Sequence, residues 1–581
     1  MKKSIYVMFA VIILSACKKD DEGLPLDQFG YLFRTFLLEH FDWDNDGVIS
    51  EEEAARITEI DCSGRNITSL MGIGFFPNLE SIICSNSNLH ATGLDVTNNP
   101  KLHTIICDNN LLGSLDLSNN PLLKILICDN TNIEELDFSN NPLLEILSCS
   151  SETGLKSLTL TSSIIKLDIR GHKLSSLDFS GNQILKELYC GGSNMTDLNV
   201  GGSVLEMLDC SGGELTRLNL NGCTVLKSLT CDGNGLIFDL RDCINLERIY
   251  ANSITNIDVS RISLLKTLHC TNSRLQNLDL TNNPALEDLK LTGTDILGAI
   301  NLSNNFQLTS VDLGRSINER MLDLSNRKAL KELSSGRSAW TLESLDLSGC
   351  TSLETITLEF GSMHSLNLSG CQALTSLRCH NSQLSEINLK GCTNLLTLDC
   401  SWNNLTELAL EDCTRLTDLN CSGNQLTSLQ TNSANLITLN CASNFITAIN
   451  LRNHTRIKEL ICGDNNLISL NLTGCTSLVE LDCRNTPVLE TLTLTNCRAL
   501  EKLFCTTCSL TQLDINQCTA LTHLYCAANR IQPSLDVSKC LVLQELNCTS
   551  NPDLTELILH QSQAVDPLQK DTHTQITTLV N

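Results

Sequence analysis

The sequence predicts a repeat solenoid of about 24 turns, 20–23 residues each, with a parallel sheet along one face. Three observations predict it. A six-residue word, L-x-x-L-x-C, returns along most of the 581 residues and carries a cysteine at a fixed apolar place. Aromatic residues are only 4% of the chain, poor material for several ordinary globular cores. Within each word the apolar positions alternate: Leu419 and Cys421 point one way, while 418, 420 and 422 point the other. One such turn buries no apolar face alone, so turns must stack into a continuous core.

The register is set by Cys62, Cys84, Cys107, Cys128, Cys149, Cys190, Cys210, Cys231 and Cys270, and again by Cys379, Cys400, Cys421, Cys441, Cys462, Cys483, Cys505, Cys526 and Cys548. Ile169, Ala251, Leu291, Leu313, Ser335 and Leu358 fill the gaps. In LTDLNCSGNQLTSL, residues Leu416, Leu419, Cys421, Asn424, Leu426 and Leu429 follow the order L-x-x-L-x-L-x-x-N-x-L. This resembles the leucine-rich repeats of bacterial surface proteins, and most of all the internalin type with its stacked cysteine column. The resemblance covers about residues 60–560. It implies a right-handed coil over 61–553 and binding of host or matrix ligands. Each turn has a second half of similar form, as in LESLDLSGC from Leu342, whose wall is strand, bridge or irregular.

Thirty cysteines need an account. Ten occupy a second fixed place: Cys223, Cys243, Cys350, Cys371, Cys392, Cys413, Cys475, Cys497, Cys518 and Cys540. Other turns hold Asn99, Asn120, Asn141 or Asn283 there, and Cys508 takes an Asn424-type position. Zinc needs four converging ligands, in close pairs, and Cys505-x-x-Cys508 is the single such pair. A disulfide wants Cβ atoms nearer than in-register rungs place them. Small buried hydrophobes are the reading that needs no special geometry. If oxidation occurs, Cys505 and Cys508 are the pair to watch. Asparagine at these turns satisfies backbone groups with its donor and acceptor. Cysteine does so less fully, which suits a partly wet turn.

Net charge is −26, so neither nucleic acid nor an anionic membrane surface is an expected partner. Residues 1–17 read as a signal: Lys2 and Lys3, then an apolar run from Ile5 to Leu14, then Leu14-Ser15-Ala16-Cys17. That ending resembles a bacterial lipobox and implies a covalent lipid on Cys17. Lys18-Lys19-Asp20-Asp21-Glu22, in the 18–25 linker, resembles the export tag of surface lipoproteins in Bacteroidetes. Together they imply an outer-membrane lipoprotein facing the exterior, touching the membrane only through its anchor.

Solenoid ends need caps. Residues 26–60 form the first: apolar residues at helical spacing over 26–41, then Asp42-Trp43-Asp44-Asn45-Asp46-Gly47-Val48-Ile49-Ser50-Glu51-Glu52-Glu53. This resembles an EF-hand loop and implies a structural Ca²⁺ held by Asp42, Asp44, Asp46, the Val48 carbonyl, Ser50 and Glu53. The alternative is an acidic loop that caps a helix at Glu51–Glu53 without metal. At the other end, residues 554–581 read as a β-hairpin cap built from Leu554–His560 and Thr574–Val580.

Function on a solenoid lives in exposed, variable columns. The residue before each inward cysteine is one: Tyr189, Tyr250, His269, Lys290, Arg378, Phe504 and Tyr525 lie there, including all three tyrosines outside the signal and cap. The competing reading is that strands simply favour Tyr and Phe. The second-half column is Asp or Asn instead, as at Asp95, Asp116, Asp137 and Asp178. Residues 291–358 lose the inward cysteine and admit Arg315, Arg320, Arg337 and Trp340, as a change of curvature, a recognition patch or plain drift. No H-E-x-x-H, G-x-S-x-G or P-loop occurs, so an enzyme is not expected. The expected function is protein binding or adhesion at the cell surface. Its rivals are glycan capture for an uptake system and a passive coat.

Overall fold

In the computed structural model most repeat words become a three-residue strand. Asp418–Asn420 buries Leu419 and turns its two neighbours outward, and Cys421 follows, fully buried. The structure describes residues 24–25, 29–151, 154–177, 179, 182–233, 235–298, 300–314, 316–317, 320–335, 342–358 and 361–580. Cys17, the signal, Asp178, Arg315, Arg337 and Trp340 lie outside the described residues. The chain divides into two compact units, Met1–Ile254 and Thr255–Asn581. Each is a parallel β-solenoid whose strands pair in register, as Leu419 with Leu439 and Leu208 with Leu229.

The main sheet of the first unit runs from Glu59–Asp61 to Arg248–Asn252; that of the second runs from Thr267–His269 to Leu568–Gln569. The inward cysteine still takes part in the ladder, Cys421 N–H donating to Asn440 O at 2.8 Å. Two residues later the chain bends through a left-handed residue, Gly423 at φ 66° or Asn109 at φ 55°, types that tolerate it. The second wall is mixed. It forms short parallel sheets, such as Met321–Asp323 through Glu386–Asn388, and is irregular elsewhere. Through 291–358 the main sheet continues in register, with Leu291, Leu313 and Leu358 buried where cysteine is missing.

Two side-chain ladders satisfy the turns, and they ask for different chemistry. In the first, Asn424 Nδ2 donates to Cys400 O (3.0 Å) and Cys421 O (3.1 Å), while its Oδ1 accepts from Leu405 N–H (3.0 Å). Asn444, Asn465, Asn529 and Asn551 repeat this. In the second, Asn120 Nδ2 donates to Val96 O (3.0 Å) and Asn99 O (2.9 Å). Its Oδ1 has no partner, nor has that of Asn99, Asn141, Asn283 or Asn305. That ladder uses only the donor.

A thiol supplies a donor and no strong acceptor. Cys350, Cys371 and Cys475 each donate to the carbonyl one turn back at 3.2 Å, in the second ladder. The expectation that cysteine suits these turns because they are wet is therefore corrected: Asn120 and Cys371 are both fully buried, and the donor-only geometry is the reason. Cys508, the one cysteine in the first ladder, fits the same rule. The N–H awaiting an acceptor one turn back belongs to Leu489, and it already donates to Thr486 O (3.0 Å) across Pro487. Cys508 Sγ donates to the Cys483 carbonyl at 3.2 Å. All 29 described cysteines are buried free thiols. Burial pushes Cys62, Cys107 and Cys441 up to about 12, leaving them inert.

The second ladder also admits a charged residue. Arg327 stands between Asn305 and Cys350 in it, 4% exposed, with Nη2 donating to Leu302 O (2.8 Å). Its Nε and Nη1 have no partner, and the ring of Phe306 lies 4.2 Å from the guanidinium.

The first cap has helices Tyr31–Phe41 and Glu51–Arg56. Phe33, Phe36 and Leu37 are buried, and Phe29 bridges Phe33 to Phe75 and Phe76 of the first turn at ring distances of 5.6–6.3 Å. The C-terminal hairpin is a correction. Glu556–His560 and Gln575–Leu579 pair parallel, Glu556 with Gln575, and Leu568–Gln569 joins the main sheet beside Glu545–Asn547. Residues 554–581 thus make another solenoid turn. The two-residue strand hidden in the polar connector carries the chain fully round, where a hairpin would have reversed it. No helix among the described residues is long and apolar enough to cross a membrane.

Candidate binding surface and metal loop

Each residue of the predicted binding column ends or centres a main-sheet strand, facing away from the core. Lys290 and Arg378 are exposed; Tyr189, Tyr250, His269, Phe504 and Tyr525 are half-buried among their neighbours. In the first unit, Tyr189 lies in register between Asp168 and Asp209. Lys166 Nζ and the Arg170 guanidinium approach its ring at 5.4 and 5.6 Å, and its hydroxyl donates to Met207 Sδ at 2.7 Å. Tyr250 sits beside Thr230.

In the second unit, His269 pairs with Lys290 and bonds Asp288 at 2.7 Å. Arg378 lies beside Asp399. Phe504 and Tyr525 stack at 5.2 Å with an interplanar angle of 10°, and the Arg484 guanidinium lies over the Phe504 ring at 5.2 Å. The Tyr525 hydroxyl donates to Glu545, which raises its pKa, so the phenol stays a donor. Phe504 is thus engaged by two neighbours. The seven residues share one kind of position but form no single cluster.

The acidic loop joins the two cap helices. Oxygens of Asp42, Asp44 and Asp46 lie within 4.8 Å of one another, the only such set of three metal-type ligands among the described residues. Their geometry is fixed by backbone donors: Gly47 N–H to Asp42 (2.9 Å), Asp46 N–H to Asp42 (3.1 Å) and Val48 N–H to Asp46 (2.9 Å). Asn45 at φ 62° and Gly47 at φ 88° make the bend. A backbone donor from Asp46 pulls the Asp44 carboxyl down, but lost hydration and the charges of Asp46 and Glu53 leave it above its usual value. Three crowded carboxylates on a fixed loop are a donor set that fits a hard divalent cation.

Glu53 does something further. Its two oxygens accept from Trp43 N–H (2.8 Å), Ser50 N–H (2.8 Å) and the Ser50 hydroxyl (3.0 Å), and Ser50 caps the second helix in return. Burial works against the charged form, but these donors outweigh it and hold Glu53 below the usual carboxylate range. Oε1 accepts one bond and keeps a lone pair for a metal, whereas Oε2 already accepts two bonds from Ser50, so ligation through both oxygens requires the Ser50 hydroxyl to turn away. Leu24 N–H donates to Ile49 O at 2.7 Å, giving the lone loop a strand-like partner within the chain.

Sequence reasoning missed Trp402. It stands where neighbouring turns put Asn381 or Gly423, as the contrast between CSWNN and CSGNQ reveals. It is 61% exposed and left-handed, at φ 54°.

No family model and no curated protein matches the chain. Among solved structures, YopM from Yersinia enterocolitica is 19% identical, with 86% of this chain and 99% of that one covered and a TM-score of 0.52. The functional domain of InlJ from Listeria monocytogenes, which includes a cysteine ladder, is 20% identical over 88% and 76%, with a TM-score of 0.26. A leucine-rich-repeat protein from Leptospira interrogans is 16% identical over 83% and 93%, with a TM-score of 0.31. The likeness is one of fold: the chain is a leucine-rich-repeat solenoid.

Proposed function

We propose that this chain is a surface lipoprotein, anchored through Cys17, that binds a protein partner along the outward column of its main sheets and catalyses nothing. The observation that carries the reading is that column itself. It repeats rigidly and varies in side chain, with Tyr189 and Tyr250 in one unit and His269, Lys290, Arg378, Phe504 and Tyr525 in the other. Aromatic and arginine side chains on a rigid scaffold are what protein interfaces concentrate. Glycan capture is the weaker reading, because sugars stack on open ring faces and the Phe504 ring is already engaged by Tyr525 and Arg484.

The test is capture from host and bacterial surface extracts by the chain lacking residues 1–17, alongside a glycan array. Tyr189→Ala with Tyr250→Ala should weaken protein capture by about tenfold, the loss of one to two kcal/mol at an anchor. Retention of sugars alone would overturn the reading.

The cap enters the same proposal. Asp42, Asp44 and Asp46 would hold Ca²⁺, with the Val48 carbonyl, Ser50 and Glu53 completing the set, and the ion would stiffen the first cap outside the cell. One Ca²⁺ should bind per chain and raise the melting temperature, as any ligand of the folded state does. Asp44→Ala should abolish both effects in calorimetry. A wild-type chain that melts alike with calcium and with chelator leaves the loop as a helix cap.

A further inference from the structure

We infer that the turn from Cys400 to Cys421 carries a docking site for an extended, basic segment of a protein partner. Two independent departures from the repeat meet in this turn. One is Trp402, whose left-handed place is held by Asn381, Ser443 and Asp464 in other turns. A bulky residue rarely accepts that conformation, and where one does, function is the usual reason. A Cβ on Gly423 would fall 2.8 Å from Trp402 Cδ2 and Cε3, so the indole lies against the backbone of the next turn. With 61% of the residue exposed, the ring is presented to solvent.

The other lies in the second wall, where one of its short sheets ends. In the second wall, Leu324, Leu347 and Leu368 each donate their N–H to the carbonyl of the following turn, at 2.8–2.9 Å. The next in line, Leu389, has no such bond, and Glu386–Asn388 is the last strand of its sheet. Ala409 stands where the two preceding turns have Asn367 and Asn388. Where the ladder stops, a cleft of about 880 Å³ opens, lined by Glu386, Asn388, Lys390, Glu407, Glu411 and Asp412 among others. Four carboxylates face one lysine.

The occupant follows from charge and backbone together. An acidic cleft beside an unpaired strand edge accepts an extended chain, with arginine or lysine side chains toward the carboxylates. Trp402, in the same turn though outside the cleft lining, offers the solvent side of its ring to a guanidinium. The site shares the reading of the chain as a protein binder but uses none of the outward column. Failure here therefore leaves the Tyr189 and Tyr250 test standing, and the converse holds too.

The probe is a decapeptide alternating arginine and threonine, titrated into the purified full chain at low salt, with its glutamate–threonine counterpart as control. Trp402→Asn restores a residue at ease in the left-handed region and should fold at least as well as the wild type. It and the pair Glu407→Gln with Glu411→Gln should each weaken binding by about tenfold. The pair Asp116→Asn with Asp137→Asn, an equal charge change in the first unit, should alter it by less than about twofold. Equal losses in both charge pairs would reduce the effect to attraction by a chain of net charge −26 and overturn the site. So would wild-type affinity in Trp402→Asn, no binding by the wild type, or equal binding of the glutamate peptide.

Discussion

Asn424→Cys should destabilise the protein by about 2 kcal/mol, while Asn120→Cys leaves it unchanged within about 0.5 kcal/mol or stabilises it. Both asparagines are buried at a turn and both donate to two carbonyls. Only Asn424 also accepts, from Leu405 N–H. A thiol there strands that N–H in a dry core, and an unmet buried donor costs about 1–3 kcal/mol. At position 120 the Oδ1 is already unmet, so the thiol removes a desolvated oxygen and keeps a donor aimed at Val96 O. Urea unfolding of the two variants measures the difference. Equal losses would mean that the ladders are chemically alike.

Arg327→Cys should raise stability by about 1–3 kcal/mol, an unusual sign for a core substitution. A guanidinium keeps its proton, so burial cannot be relieved by neutralisation. Desolvation lowers the Arg327 pKa, outweighing the opposing charge of Asp323, and two of its three nitrogens lack partners. The ring of Phe306 and the bond to Leu302 O recover part of the cost. Cys350, one turn on, shows what the site accepts: a thiol donating to Leu324 O. A higher urea midpoint is the expected readout; a lower one would mean that the volume of Arg327 outweighs its charge.

The period, the inward leucine and cysteine, and the outward column were all legible because stacking forces identical turns to repeat identical patterns. Leu419 with Cys421 is read the same way in sequence and in structure. What was not legible depends on hydrogen-bond directions that composition does not carry. Asn120 and Asn424 look interchangeable as letters, and only the partner of Oδ1 separates them. The last turn was misread because Leu568–Gln569 is too short to give a periodic signal. Ser50 and Glu53 spell a capping box as clearly as a metal loop, and the structure makes the box. Trp402 was visible as a mismatch between repeats, but its meaning needed the backbone angle.

With the described thiols buried, recognition falls to the residues that face out. The most direct test replaces Tyr189 or Tyr250 with a photo-crosslinking amino acid, and Asp137 of the second-half column with the same group as a control. The account predicts covalent capture of one protein partner from positions 189 and 250 and none from 137. Capture from 137 alone, or equally from all three, would contradict it.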